Sequence, residues 1–240
     1  MKIRLISDLH IDHDSDGGIG YIDSLPVDAD VLVVAGDVAN SIQRAIEALM
    51  AICARWSPRP VLYVPGNHEY YSGGNTGCNL LGLDDLCRAA SNLHPLNLRS
   101  VTIDNRTFHG ATLWYPKPVS YNWSDFTHIN GLAYWIEDAW RDSREFLKTN
   151  VKKGDIVVTH TLPSTACVAP RYAGDPDNRY FVGHCDDIIL KQQPAYWLFG
   201  HTHDSNTLRV EETLCISAPR GYPSEHNNTY TSPFGRLICM

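Results

Sequence analysis

Residues 30–69 read DVLVVAGDVANSIQRAIEALMAICARWSPRPVLYVPGNHE. The stretch opens with a short β-branched run, DVLVVAG, and ends with a second, PVLYVPG, each stopping at a glycine. Between them Ile42, Ala45, Ile46, Leu49 and Cys53 recur at helical spacing behind Asn40 or Ser41, either of which suits a helix cap. Strand, amphipathic helix and strand make a β-α-β unit. Its two strands then end on the same edge, Asp37 after the first and Asn67 with His68 after the second. That edge is where open α/β sheets bind ligands.

The pattern repeats outward from this unit. IRLIS at 3–7, DIVVTH at 155–160 and AYWLFGH at 195–201 are further short apolar runs that stop at a polar residue or glycine. A second helix is expected at 131–149, with Leu132, Trp135, Ile136, Ala139 and Trp140 in one stripe, and a third near 184–191. After residue 200 helices give way to short strands, TLRVE, TLCISA and GRLICM, consistent with an antiparallel edge or a second sheet. The mixture is layered α/β with mixed sheets. A chain of 240 residues, 43% apolar and 20% charged, suits one domain over 1–240 with a substantial core. SGGNTGCNL at 72–80 has the composition of a flexible loop, and 114–130, WYPKPVSYNWSDFTHIN, is the least regular stretch.

Composition narrows the function classes. The start MKIRLISDLH meets an aspartate too soon for a signal peptide, and no later apolar run approaches a bilayer span, so a soluble cytoplasmic protein without membrane contact is expected. Seven cysteines, an odd number with no CxxC pair, read as reduced and mostly buried thiols. A formal charge of −7 with no basic block argues against a long duplex nucleic-acid partner. Oligomeric state is left open.

The polar residues at strand ends carry the chemistry. Asp8 and His10 follow the first strand as D-L-H, Asp37 the second, Asn67 and His68 the third; His160 closes DIVVTH, and His201 with His203 closes YWLFGHTH. Five of the eleven histidines should therefore meet at one place. If the segment after the first strand is extended, Asp8 and His10 point the same way and grip one ion. By the same logic Asn67 turns its carbonyl to a metal while His68 points outward to a substrate. Imidazole, carboxylate and amide donors without thiolate suit Mn, Fe, Zn, Ni or Co. Two ions of charge +2, two carboxylates and one hydroxide sum to about +1, which attracts a phosphate. Singly, each motif has a bland reading: a solvated turn, or a core histidine bonded to a carbonyl. The ordered set, each member after a strand, does not.

At these residues the chain resembles the calcineurin-like metallophosphoesterase superfamily, over residues 8–203. The stretches GATLWY at 110, THTLPS at 159 and APRGYPSE at 218 also resemble its small stand-alone bacterial and phage members. The resemblance implies a four-layered α/β/β/α sandwich, two mixed sheets flanked by helices, with a dinuclear centre for two divalent ions, Mn²⁺ first among them. It implies Asp8, His10 and His203 on one metal, Asn67, His160 and His201 on the other, and Asp37 bridging. His68 would protonate the leaving oxygen or steady the transition state, and Glu69 would orient His68.

The activity expected from this set is phosphoester hydrolysis by a metal-bridging hydroxide, on phosphodiesters more than monoesters, of small molecules or nucleotides. A nuclease for short or single-stranded ends, and a non-catalytic scaffold, are the alternatives; the intact ligand set argues against the scaffold. For substrate contacts, Arg171, Tyr172 and Arg179 fall in a Pro- and Gly-rich loop after His160, and Arg220 follows a later strand. They are candidates to meet a phosphate or a base, set against the plainer reading of surface arginines and packing tyrosines. Segment 114–130 is read as a cap over the site or, by slight preference, a hydrophobic anchor for the helix that follows. Asp12, His13 and Asp14 are read as partners that fix a ligand's tautomer or, by preference, as a solvated acidic loop.

Overall fold

In the computed structural model, which describes residues 1–71, 90–226 and 231–240, the 30–69 unit forms as β2 (Val31–Ala35), α2 (Ile42–Trp56) and β3 (Val61–Val64). The expected loop at 72–80 lies outside the described residues. Ser41 caps α2: its Oγ accepts from the Arg44 N–H at 3.3 Å, a contact worth about 1 kcal/mol. The helix buries Ala45, Leu49, Ile52, Cys53 and Trp56.

The first sheet has the order β11–β1–β2–β3–β4, with β1 at Lys2–Ile6, β4 at Leu93–Pro95 and β11 at Arg236–Cys239. β1 to β4 run parallel, and β11 closes the edge antiparallel to β1. The second sheet runs β5–β6–β7–β8–β10–β9, comprising Arg99–Ile103, Arg106–Ala111, Ile156–Thr159, Tyr196–Phe199, Thr213–Ser217 and Asn206–Val210. There β6, β7, β8 and β10 are parallel, and β5 and β9 are antiparallel edges. Both sheets are mixed, as expected.

Strand alternation explains the layering. Ile3, Leu5, Val31, Val33, Leu62 and Val64 face the other sheet and pack on Phe108, Ile156, Val158, Leu198 and Ile216. Their neighbours Leu32, Val34 and Tyr63 turn outward onto α1 (Ile19–Ser24) and α2. On the other side Val157, Trp197, Phe199 and Cys215 turn outward onto Leu147, Ile188 and Ile189. The last three belong to α4 (Leu132–Asn150) and α5 (Asp186–Gln192), which match the expected helices within two residues. In α4, however, Trp135, Ala139 and Trp140 are only half-buried, and the face continues through Ser143 and Leu147.

Several elements have no counterpart in the sequence reading: α1, β4, the β5–β6 hairpin and a short helix within 114–130. The hairpin turns on Asp104 and Asn105, whose φ values of 46° and 61° suit a tight right-twisted connection. Segment 114–130 acts as an anchor. Trp114 and Tyr115 are buried with Leu132, Ile136 and Tyr180, and the segment ends in a short helix, α3 (Ser124–His128). The described cysteines 53, 167, 185 and 215 are buried, and Cys239 is exposed.

Candidate metal centre

The parallel strands β1, β2 and β3 of one sheet and β7 and β8 of the other end side by side, and the expected residues follow those ends. Three sets form there, each with its ligand atoms within 4.8 Å of one another: Asp8–His10–His203, His10–Asp37–His68 and Asp37–His160–His201. Asp37 Oδ2 lies 3.2 Å from His160 Nε2, 3.8 Å from His68 Nε2 and 3.9 Å from His10 Nε2. Asn67 joins through its Oδ1, 2.9 Å from His160 Nε2. All seven expected ligands and His68 are therefore at one place.

The route by which they arrive differs from the extended-strand argument. Asp8, His10, Asp37, His201 and His203 all have left-handed backbone, with φ of 53°, 44°, 54°, 67° and 49°. Such a conformation costs a residue with a Cβ about 1–2 kcal/mol. The chain turns inward at each strand end rather than alternating. Asn67 is likewise helical, at φ −71° and ψ −31°, and caps a 3-10 turn over His68–Tyr70. His68 is consequently not thrown outward; it faces Asp37 from the mouth of the site. Two glycines make room: a side chain at Gly36 would strike the His160 ring, and one at Gly66 the Asp37 carboxylate.

Electrostatics divides the imidazoles: His10 and His201 are held neutral, whereas His160 keeps a proton beside the ionised Asp37. Burial pulls His10 well below the usual histidine range, and burial with its neighbour His160 takes His201 to about 3. Burial pulls His160 down too, but the carboxylates of Asp37 and Asp8 outweigh it and lift it to about 10. Burial raises Asp37, yet His160 and His68 hold it well below the usual carboxylate range. The proton on His160 thus offsets Asp37 where a cation would.

Three histidines are pinned by one ring nitrogen, leaving the other for the centre. His160 Nδ1 lies 2.9 Å from the Ala35 carbonyl, His201 Nε2 3.1 Å from the Tyr180 carbonyl, and His203 Nδ1 2.7 Å from Glu225 Oε2. Oxygen acceptors at these distances hold a proton on the outer nitrogen, so the inner one is the atom left to offer a lone pair, for His160 once its second proton has gone. Inside, His10 Nε2 meets His203 Nε2 at 3.0 Å, and His10 Nδ1 is buried with no hydrogen-bond partner among the described residues. Converging lone pairs of this kind fit divalent cations, and the thiolate-free donor set suits the metals named from the sequence.

The companion residues depart from expectation. Glu69 does not orient His68. Its carboxylate, fully buried, accepts the N–H groups of Gly66, Asp37, Val38 and Ala39, tying the loop after β2 to the turn after β3. Burial and the Asp37 charge push it up to about 7. His68 is oriented by Asn40, whose Oδ1 lies 2.5 Å from Nδ1, and by Tyr71, stacked at 4.2 Å between centroids. Arg220 is engaged within the fold: it is buried, bonds Asp14 and the Leu9 carbonyl, and covers the Tyr21 ring. Asp14 is thereby tied down, and Asp12 accepts from the Asn40 N–H, so this loop is not freely solvated. Arg171 pairs with Asp204 and lies over Tyr172, while Arg179 pairs with Asp177 and lies over Tyr180.

A cavity of about 340 Å³ opens beside Asp37, Asn67, His68, His201 and His203; its described walls include Trp123, Tyr172, Asp177, Asn178 and Phe181. A second cleft of about 680 Å³ lies on the other side of His68, lined by His13, Asn40, Thr127, His128 and Asn130. Tyr71, Ser124 and Tyr222 border both. Of the sequence-named substrate residues only Tyr172 is among the described lining. Segment 114–130, through Trp123 and Ser124, forms wall as well as anchor.

Comparison with known proteins follows the same lines. A sequence model of the family described as calcineurin-like phosphoesterase matches residues 1–205. The uncharacterized protein L509 of Acanthamoeba polyphaga mimivirus is 27% identical over 268 residues, covering 94% of this chain and 93% of its own. The UPF0046 protein K07C11.7 of Caenorhabditis elegans is 27% identical over 189 residues, 75% of this chain and 58% of that protein. In fold, the phosphopantetheinyl hydrolase PptH from Mycobacterium tuberculosis is similar, with a TM-score of 0.75 at 17% identity over 99% of this chain and 95% of that one. Matched along most of its length, and with the family's aspartate, histidine and asparagine pattern gathered at converging strand ends, this chain belongs to the calcineurin-like phosphoesterases, metal-dependent hydrolases with a dinuclear centre.

Proposed function

We propose that the chain hydrolyses phosphodiesters of small molecules or nucleotides in preference to phosphomonoesters, with Mn²⁺ as the working ion. The observation that carries this reading is the place of His68 between two clefts, neither of which has a lysine or arginine among its described lining residues. A diester brings one negative charge and two arms, one for each cleft. A monoester brings a second charge that no lysine or arginine among the described lining residues meets.

Asp8, His10 and His203 would hold one ion, Asn67, His160 and His201 the other, with Asp37 between them. Bound there, the ions supply Lewis acidity to the phosphoryl oxygens and bring a water near neutrality as nucleophile. The chain's own part is orientation and proton delivery. Asn40 Oδ1 keeps a proton on His68 Nδ1, so Nε2, facing the centre, is the atom that carries a second proton to the departing oxygen. Trp123, Tyr172 and Phe181 offer flat apolar surface to one arm, and Asp177 and Asn178 accept its hydrogen bonds.

The test is hydrolysis of bis-p-nitrophenyl phosphate and p-nitrophenyl phosphate by chelator-stripped protein, with and without Mn²⁺. Release from the diester only with metal, at a kcat/KM at least ~10-fold above the monoester, is the expected result. A monoester preference would overturn the diester reading.

A further inference from the structure

We propose that Asp125, on α3, is a positioning residue for the ion site that includes Asn67: it sets which end of the Asn67 amide faces the metal and holds the aromatic ring that backs His68. This rests on the two-ion reading above and adds a residue that none of the strand-end motifs contains.

Asp125 is fully buried, and among the described residues no lysine or arginine pairs with it. A carboxylate seldom survives in that position unless hydrogen bonds replace water. Here three neutral donors do so. Asn67 Nδ2 donates to Oδ1 at 2.8 Å, the Tyr71 hydroxyl donates to the same oxygen at 2.7 Å, and the Tyr115 hydroxyl donates to Oδ2 at 2.9 Å.

The consequence for Asn67 follows from donor and acceptor chemistry. An asparagine amide has nearly the same shape either way round, so its partners alone decide which end points where. An ionised carboxylate only accepts. Asp125 therefore claims the NH₂ end and leaves Oδ1, 2.9 Å from His160 Nε2, turned to the ligand cluster. Reversed, the amide would aim two N–H bonds at a cation and its oxygen at a carboxylate.

The second consequence is for the acid. Tyr71 is anchored by its hydroxyl on Asp125, and its ring stacks on His68 at 4.2 Å with an interplanar angle of 27°. One buried carboxylate thus fixes a metal ligand and the face of the proton donor. It also ties both to segment 114–130, which walls the cavity.

The deciding experiment is Mn²⁺ binding to chelator-stripped protein, wild type against Asp125→Asn, followed by calorimetry. The substitution keeps the shape but introduces a donor, so the Asn67 amide is free to turn. Wild type should bind two ions; Asp125→Asn should keep one at near wild-type affinity and bind the other ~10- to 100-fold more weakly. In an Asn67→Ala background the same substitution should change ion affinity by less than ~3-fold, because the group it positions is gone.

Two ions bound with unchanged affinity by Asp125→Asn, with only the melting temperature lowered, would overturn the proposal. Failure of the wild-type chain to bind two ions would overturn the two-ion reading as well. A measurement on the unmutated protein guards against a variant that does not fold. The Asn67 side-chain amide protons, followed by NMR, should exchange slowly both without metal and with diamagnetic Zn²⁺ added. Fast exchange in both states would also overturn the assignment.

Discussion

Strand β7 has histidine and carboxylate chemistry at both ends, and the two ends differ in everything but composition. At its start Asp155 Oδ2 lies 2.9 Å from His109 Nε2 and accepts the Lys152 N–H at 2.9 Å; His109 Nδ1 in turn meets Ser100 Oγ at 2.7 Å. A serine, a histidine and an aspartate in line resemble a catalytic triad on paper. Yet both ring nitrogens have partners, His109 lies within strand β6, and neither cleft described above reaches it. At its end His160 enters a cluster where ligand atoms converge, one ring nitrogen of His10 has no partner among the described residues, five backbones are left-handed and a cavity opens. Surplus ligand atoms, stored strain and space mark a site; residue types alone do not.

The comparison breaks first under paired substitutions. Asp37 is shared by two of the ligand sets, so Asp37→Ala should strip metal and lower diester hydrolysis by ~10³-fold or more. His68→Ala should keep metal, as measured by elemental analysis, and lose ~10²- to 10⁴-fold in kcat. At the other end of β7, His109→Ala should leave metal content and turnover near wild type and cost about 2 kcal/mol of stability in urea titration. A His109 variant that lost turnover without unfolding would erase the distinction.

A smaller effect concerns protons. In the metal-free protein His160 stays protonated up to about pH 10, held by Asp37 and Asp8 against the pull of burial. An ion needs that nitrogen's lone pair, so binding near neutrality must expel the proton. Affinity should therefore rise with pH and level off once His160 has lost its proton without help. Calorimetry at pH 7.5 in buffers of differing ionisation enthalpy should report release of about one proton or more per protein. No buffer dependence would mean that His160 is already neutral.

How far these features were legible in the sequence depends on how local their causes are. β1, β2, β3, β7 and β8 announce themselves because strands buried on both faces are continuous apolar runs, and the ligands follow because each sits within a few residues of such a run. β5 is mostly exposed, so its apolar signal is weak, and only Asp104–Asn105 between alternating residues hinted at the hairpin. The partners of the site residues were not legible at all. Asn40 beside His68, Asp125 beside Asn67 and Asp14 beside Arg220 are pairings 28, 58 and 206 residues apart, made by topology rather than by pattern. Glu69 was misplaced for the same reason: its neighbours in sequence suggested His68, while its burial brought it four backbone N–H groups.

The left-handed strand ends were also invisible, because aspartate and histidine, though they enter that region more readily than most side chains, do so in only a minority of cases. They allow the two ends of β7 to be compared at the level of backbone alone. His203 has φ 49°, whereas His109 lies in regular strand. Replacing either by alanine or by glycine removes the same imidazole contacts, so the difference between the two variants isolates the backbone. At position 203 a Cβ is strained and glycine is not, so in metal-free protein His203→Gly should be more stable than His203→Ala by about 1 kcal/mol. Position 109 should show the opposite sign, with His109→Gly less stable than His109→Ala by about 0.5–1 kcal/mol, since glycine there only adds freedom to the unfolded chain. Urea titration of the four variants measures both differences. Equal signs at the two positions would mean that the inward turn after β8 is no strained feature, and that the ligands reach the centre at no backbone cost.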